Sequence, residues 1–173
     1  MNIFLIGYRC TGKTSVGRLL AKKLDWPFID ADSELVKENG TTISEMVASH
    51  GWDYFREKER DVIKKLAALD RHVIATGGGA VLNNENVKDM KKGGTTVWLK
   101  ASSETIRQRI LQDENTEDQR PALTSKGFAD EIEGVLFNRN PIYKSAADFY
   151  IDTDSLSIAD ICSAITGKLK QTM

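Results

Sequence analysis

The chain has 173 residues, 40% hydrophobic and 28% charged, with 24 lysines and arginines against 25 aspartates and glutamates for a formal net charge of −1. That size suits one domain around one core, large enough to need no disulfide or metal staple. The near-neutral balance argues against general affinity for nucleic acid or an anionic membrane surface, and no apolar run is long enough to span a bilayer.

The opening "NIFLIG" is a short continuous apolar run, as in a strand buried on both faces. After a glycine-bearing loop, Val16, Leu19, Leu20 and Leu24 form one stripe of a helix. "WPFID" reads as a second strand with Pro27 at its beginning. "SELVKEN" is a short helix ending at Gly40. In "TISEMVASHG", Thr42 and Glu45 have capping-box spacing and Gly51 suits a stop. A longer helix follows, with Phe55, Val62, Ile63, Leu66 and Leu69 on its inner face. "HVIAT" is a strand that breaks into Gly77-Gly78-Gly79; "ENVKDMKK" is helical, "TTVWLK" a strand and "SSETIRQRILQ" a helix. Residues 113–127 are polar, and no element is read there. "FADEIEGVLFNRN" is a helix expected to stop at Pro141. "DFYID" is the last strand, and "SIADICSAITGKLK" a last helix with Ile158, Ile161, Ile165 and Leu169 facing inward.

Strands alternating with helices predict an α/β domain with a parallel sheet covered on both faces. No repeat or linker divides residues 1–173. Cys10 and Cys162 lack metal-ligand spacing and fall in a loop and a helix, so no disulfide is expected. That usage, with an opening too short and uncharged for a signal peptide, suggests the cytoplasm.

Gly7 to Thr14, "GYRCTGKT", fits G-x-x-x-x-G-K-[ST] between a strand and a helix. The glycines let backbone N–H groups turn toward phosphate oxygens, and the helix N-terminus adds partial positive charge. Lys13 would reach the outer phosphates and the Thr14 hydroxyl would ligate Mg²⁺. Cys10, Thr11, Gly12 and Ser15 complete the expected contacts with ATP. "FIDADSE" sets Asp30 and Asp32 at a strand end, able to serve Mg²⁺ and an acceptor hydroxyl, although Asp32 could instead cap the helix. Arg56 and Glu59 lie three apart on a helix; they are either a surface pair or a carboxylate holding a functional arginine. Three successive glycines at 77–79 cost backbone entropy, which suits a ligand lying on bare backbone but also a plain loop. Arg120 falls in the polar stretch and Arg139 at the expected helix end; alone, each reads as a solvated charge.

Together, "GYRCTGKTSVGRLLA", "DAD", "FREKE", "TGGGAV", "RPAL" and "NRNPIY" occur in the order and approximate spacing of the shikimate kinase family, which the chain resembles from Ile3 to the last helix. The resemblance implies a P-loop, nucleoside-monophosphate-kinase-like, three-layer fold with five parallel strands in the order 2-3-1-4-5 and a lid at about 113–127. The implied reaction phosphorylates the 3-hydroxyl of shikimate with ATP and Mg²⁺. By position, Lys13, Asp32 and Arg120 take the catalytic roles. Thr14 and Asp30 serve the metal, and Arg109 stacks on adenine beside Asp152-Thr153-Asp154. Arg56 and Arg139 bind the shikimate carboxylate, and Gly77, Gly78 and Gly79 lie under the ring. The protein is expected to be a monomer acting on a small molecule, without nucleic-acid or membrane partners.

The chain departs from the family pattern at Ala122, where leucine is commoner, in the acidic Asp113, Glu114, Glu117 and Asp118, and in lacking a base-side arginine. Two other readings stay open: a kinase of the same fold acting on gluconate or a nucleoside monophosphate, and a non-catalytic ligand-binding relative.

Overall fold

The computed structural model describes residues 1–112 and 128–172, with backbone alone at 128–130 and 172. Strand β1 (Asn2–Ile6) is buried at every position. It pairs in parallel with β3 (Val73–Ala75) through Phe4 opposite Ile74, and with β4 (Gly94–Lys100) through Leu5 opposite Val97. Strands β2 (Phe28–Asp30) and β5 (Phe149–Asp152) complete a parallel sheet in the order β2-β3-β1-β4-β5.

Alternation along β1 divides the core between two layers. Ile3 and Leu5 face α1 (Lys13–Leu24) and α7 (Ile158–Thr172), where Val16, Leu20, Ile161, Cys162 and Ile165 meet them. Phe4 and Ile6 face the other layer: α2 (Ala31–Asn39), α3 (Ile43–Ala67), α4 (Asn84–Gly93) and part of α6 (Phe128–Ala146). A smaller cluster of Tyr8, Ile106, Ile132 and Leu136 joins the phosphate loop to α5 (Ser103–Gln112) and α6. Strand order reverses at β1, so the loop after it stands at the switch point of the sheet, where ligands bind in such folds.

The capping box is present: Thr42 Oγ1 accepts from the Glu45 N–H at 3.2 Å, and Glu45 Oε2 accepts from the Thr42 N–H at 3.0 Å. Gly51 breaks the backbone as expected, with φ 84° and ψ 172°, but the two helical pieces abut without a linker within α3.

Three expectations fail. Helix α6 does not stop at Pro141 but runs on to Ala146. Proline costs the helix a hydrogen bond, yet Tyr143 and Ala146 beyond it are both buried, and Ala147 N–H still reaches the Tyr143 carbonyl at 3.0 Å. Arg139 therefore lies within a helix rather than at its end. Leu69 falls past the end of α3 and is exposed. Ile158, at the first position of α7, is exposed too, while Cys162, one turn on, is fully buried and donates its thiol to the Val16 carbonyl at 3.5 Å. Among the described residues no helix is long and apolar enough to cross a membrane.

Candidate active site

The loop closes on itself before it meets any ligand. Gly7 has φ 142°, and a Cβ there would lie 2.5 Å from the Leu99 carbonyl oxygen of β4, so no side chain fits. Gly12 caps α1 in the left-handed region at φ 93°. Lys13, nearly buried, donates from Nζ to the carbonyls of Gly7 at 2.8 Å and Tyr8 at 2.7 Å. Thr11 Oγ1 donates to the same Tyr8 carbonyl at 2.8 Å. The ammonium thus gathers the loop carbonyls to one side. Cys10 is half-buried and left-handed at φ 59°, a conformation ordinarily left to glycine. Ser15 is exposed at the start of α1.

Thr14 Oγ1 donates to Asp30 Oδ2 at 2.9 Å. Asp30, not Asp32, caps α2: its Oδ1 accepts from the Ser33 N–H at 3.2 Å. Magnesium keeps much of its water shell and takes one or two hard protein oxygens beside those of phosphate. The converging Thr14 hydroxyl and Asp30 carboxylate fit that need. Among the described residues no group of three or more His, Cys, Asp or Glu could hold a metal without such help.

Arg109 bridges the loop to the turn after β5. Its Nη1 donates to the Cys10 carbonyl at 3.2 Å, and its Nη2 to the Thr153 carbonyl at 3.0 Å. Beside it opens a groove lined by Thr11, Gly12, Ser15, Leu156 and Ile158. Two half-exposed apolar side chains facing a guanidinium suit a flat heteroaromatic ring. In the adjoining turn, the Asp154 carboxylate accepts from the Ser102 N–H at 2.8 Å.

A second cleft is lined by Asp32, Arg56, the three glycines and Arg139, with Tyr8 and Arg9 of the loop at its wall. Arg56 Nη1 donates to Glu59 Oε2 at 2.6 Å. Only 4% of Glu59 is exposed, so this is an internal pair and not a surface one. Its Oε1 has no hydrogen-bond partner among the described residues. Burial pushes the Glu59 carboxyl up; Arg56 opposes this and nearby Asp32 reinforces it. The Arg56 guanidinium also lies over the rings of Phe55 at 4.9 Å and Trp52 at 5.6 Å.

Charged side chains lie against two of the three glycines. A Cβ on Gly77 would stand 2.7 Å from Asp32 Oδ1 and 2.8 Å from Glu59 Oε1, and one on Gly79 would overlap the Arg56 guanidinium. The Gly78 carbonyl accepts from the Tyr143 hydroxyl at 2.5 Å and from Arg139 Nη1 at 3.5 Å. Burial pushes the Tyr143 phenol up to about 12, so it remains a donor at neutral pH. Behind the loop, Tyr8 donates to Glu131 Oε1 at 3.5 Å, and Arg9 Nη2 lies 4.0 Å from the same oxygen.

The structure therefore groups Lys13, Thr14 and Asp30 at the loop, and Asp32, Arg56, Gly77, Gly78, Gly79 and Arg139 at the cleft. Arg120 and the stretch 113–127 lie outside the described residues. Sequence reasoning missed Tyr8, Arg9, Trp52 and Tyr143. Tyr8 and Arg9 occupy unspecified positions of the loop pattern. Trp52 stands four residues, one helical turn, from Arg56, a signal that was there to be used, whereas the same relation between Arg139 and Tyr143 was hidden by the expected stop at Pro141.

A phosphate loop at the switch point of a parallel sheet, beside a small cleft rich in arginine, places the chain among the P-loop kinases that phosphorylate small molecules. The family model described as "Shikimate kinase" matches residues 9–170. A shikimate kinase from Syntrophus aciditrophicus is 46% identical over 95% of this chain and 88% of its own length. One from Nitratidesulfovibrio vulgaris is 41% identical over 96% of this chain and 94% of its own. The structure of the Acinetobacter baumannii shikimate kinase, solved in complex with shikimate, superposes with a TM-score of 0.91 at 31% identity, over 99% of this chain and 93% of that one. The chain belongs to the shikimate kinase family.

Proposed function

We propose that this protein transfers the terminal phosphoryl group of ATP to the 3-hydroxyl of shikimate, releasing ADP and 3-phosphoshikimate, in aromatic amino acid (chorismate) biosynthesis. The observation that carries this reading is the cleft beside the phosphate loop, where Arg56, Arg139, Asp32 and bare glycine backbone converge. A small carboxylated polyol needs that set: guanidinium forks for the carboxylate and a carboxylate for hydroxyls.

Phosphoryl transfer asks the protein mainly for positioning and charge neutralisation. Lys13 supplies a cation at the loop, already poised by two backbone carbonyls that it can exchange for phosphate oxygens. Thr14 and Asp30 would hold magnesium and its water, and the ion, when bound, neutralises charge between the outer phosphates. Asp32 orients the attacking hydroxyl and accepts its proton. Arg56 and Arg139 fix the acceptor carboxylate, with the glycine strip beneath the ring. Cys10, Thr11, Gly12 and Ser15 line the nucleotide path, and Arg109 meets the adenine. Arg120 serves the transferring phosphoryl group from a lid at about 113–127. The whole chain acts as one domain, a monomer in the cytoplasm, with no nucleic-acid or membrane partner.

Steady-state ADP release with and without shikimate tests this reading. Turnover is expected to require shikimate, with gluconate and nucleoside monophosphates giving less than about one hundredth of the rate, a discrimination expected when buried polar groups are left unpaired. Equal turnover on those acceptors, or none on shikimate, overturns it.

A further inference from the structure

We infer that Tyr143 is a positioning residue for the acceptor: its hydroxyl sets the orientation of the Gly78–Gly79 peptide that floors the cleft. The inference rests on the reading of that cleft as the shikimate site.

Three observations carry it. The Tyr143 hydroxyl donates to the Gly78 carbonyl at 2.5 Å, and Arg139, one turn earlier on α6, approaches the same oxygen at 3.5 Å. The Tyr143 ring is 1% exposed and lies nearly parallel to Trp98 of β4, with centroids 5.7 Å apart, so the hydroxyl cannot swing to another acceptor. On the opposite side, Gly78 packs on the phosphate loop, its Cβ position 3.5 Å from the Gly7 carbonyl oxygen and the Arg9 nitrogen.

The chemistry follows from the planar peptide unit. Among the described residues no peptide bond is cis. In a trans peptide the carbonyl of Gly78 and the N–H of Gly79 point in opposite directions. A carbonyl anchored on α6 therefore fixes the direction of the N–H at the cleft floor. Glycine residues offer no side chain of their own to hold that plane. The helix running through Pro141 matters for the same reason: it keeps Arg139 and Tyr143 on one face, four residues apart, so that both reach one oxygen. Tyr143 thereby sets the donor beneath the substrate ring and steadies the arginine expected on its carboxylate.

The test is Tyr143→Phe, which keeps the ring and removes the donor. The KM for shikimate should rise roughly tenfold, as for a buried acceptor that loses its best donor. The KM for ATP and kcat should change by less than about threefold, because that donor serves ground-state and transition-state acceptor alike. Shikimate KM within about twofold of wild type, or a parallel rise in both KM values with a lowered melting temperature, would overturn the inference and leave Tyr143 a packing residue. Independently of that variant, the Gly79 amide resonance of the wild-type protein should shift on adding shikimate alone; an unmoved resonance would also overturn it. If wild-type protein does not turn over shikimate while the Gly79 amide responds to another carboxylated polyol, the substrate reading fails and the role of Tyr143 stands.

Discussion

Arg56 and Glu59 form a 2.6 Å hydrogen-bonded ion pair inside the protein, with Gly79 against the guanidinium and one carboxylate oxygen left without a partner. The arginine thus has two jobs, one for the ligand and one for a buried charge.

Those jobs separate in a double mutant. Arg56→Ala should weaken shikimate binding by about 2–5 kcal/mol and also lower the melting temperature, because it strands Glu59. Adding Glu59→Gln removes the stranded charge. Thermal denaturation of the pair should recover most of the lost stability, while shikimate affinity, measured by calorimetry, stays low. Recovery of both would mean that Arg56 does not touch the acceptor.

Glu59 also predicts a pH dependence. Burial holds its folded-state carboxyl above the ordinary 4.5. A carboxyl raised on folding stabilises fully below its unfolded value, and that contribution is lost as pH rises through the folded value. Wild-type stability relative to Glu59→Gln should therefore fall as pH climbs from about 4.5, then level off once Glu59 is ionised. Denaturant titrations of both proteins across that range check the sign, and a difference that grows with pH would contradict it.

Lys13→Ala should lower kcat by about 10³-fold or more, since it removes a positioned cation from developing charge. It should also loosen the loop, because Nζ holds the Gly7 and Tyr8 carbonyls. Hydrogen exchange at residues 7–12 should accelerate in the absence of nucleotide. Near-normal turnover would remove the loop from the chemistry.

The two thiols should differ in reactivity. Cys10 is half-buried in the loop and Cys162 fully buried under α1. A thiol reagent should label Cys10 first and inactivate the enzyme, with MgATP protecting and shikimate alone protecting less. Site-resolved mass spectrometry gives both rates; equal labelling with and without MgATP would put Cys10 off the nucleotide path.

The sheet was legible because β1 and β3 are short apolar runs that lead into glycines and the edge strands β2 and β5 end at aspartates, a pattern that needs no tertiary knowledge. The phosphate loop was legible because its spacing is dictated by phosphate geometry. Pro141 misled because a local cost was outweighed by the burial of Tyr143 and Ala146, which only the packed structure displays. Ile158 and Leu69 misled because periodicity cannot tell where a helix ends, and each sits at or beyond a terminus. Arg56 and Glu59 could not be told from a surface pair at i, i+3 spacing, since burial depends on how α3 meets the glycine strip. Trp52 escaped because an aromatic residue on a helix ordinarily reads as core, and Tyr143 because it lies two residues beyond the expected helix stop at Pro141.

The pressure on Gly79 bears on how this protein can drift. Even alanine, the smallest side chain available, would require the Arg56 guanidinium to move off its carboxylate partner. The barrier to change there is steric and comes from a residue more than twenty positions away in the chain. A variant entering position 79 would register its cost in the Arg56–Glu59 pair and the cleft, so drift at the glycine and drift at the arginine are coupled although the chain separates them.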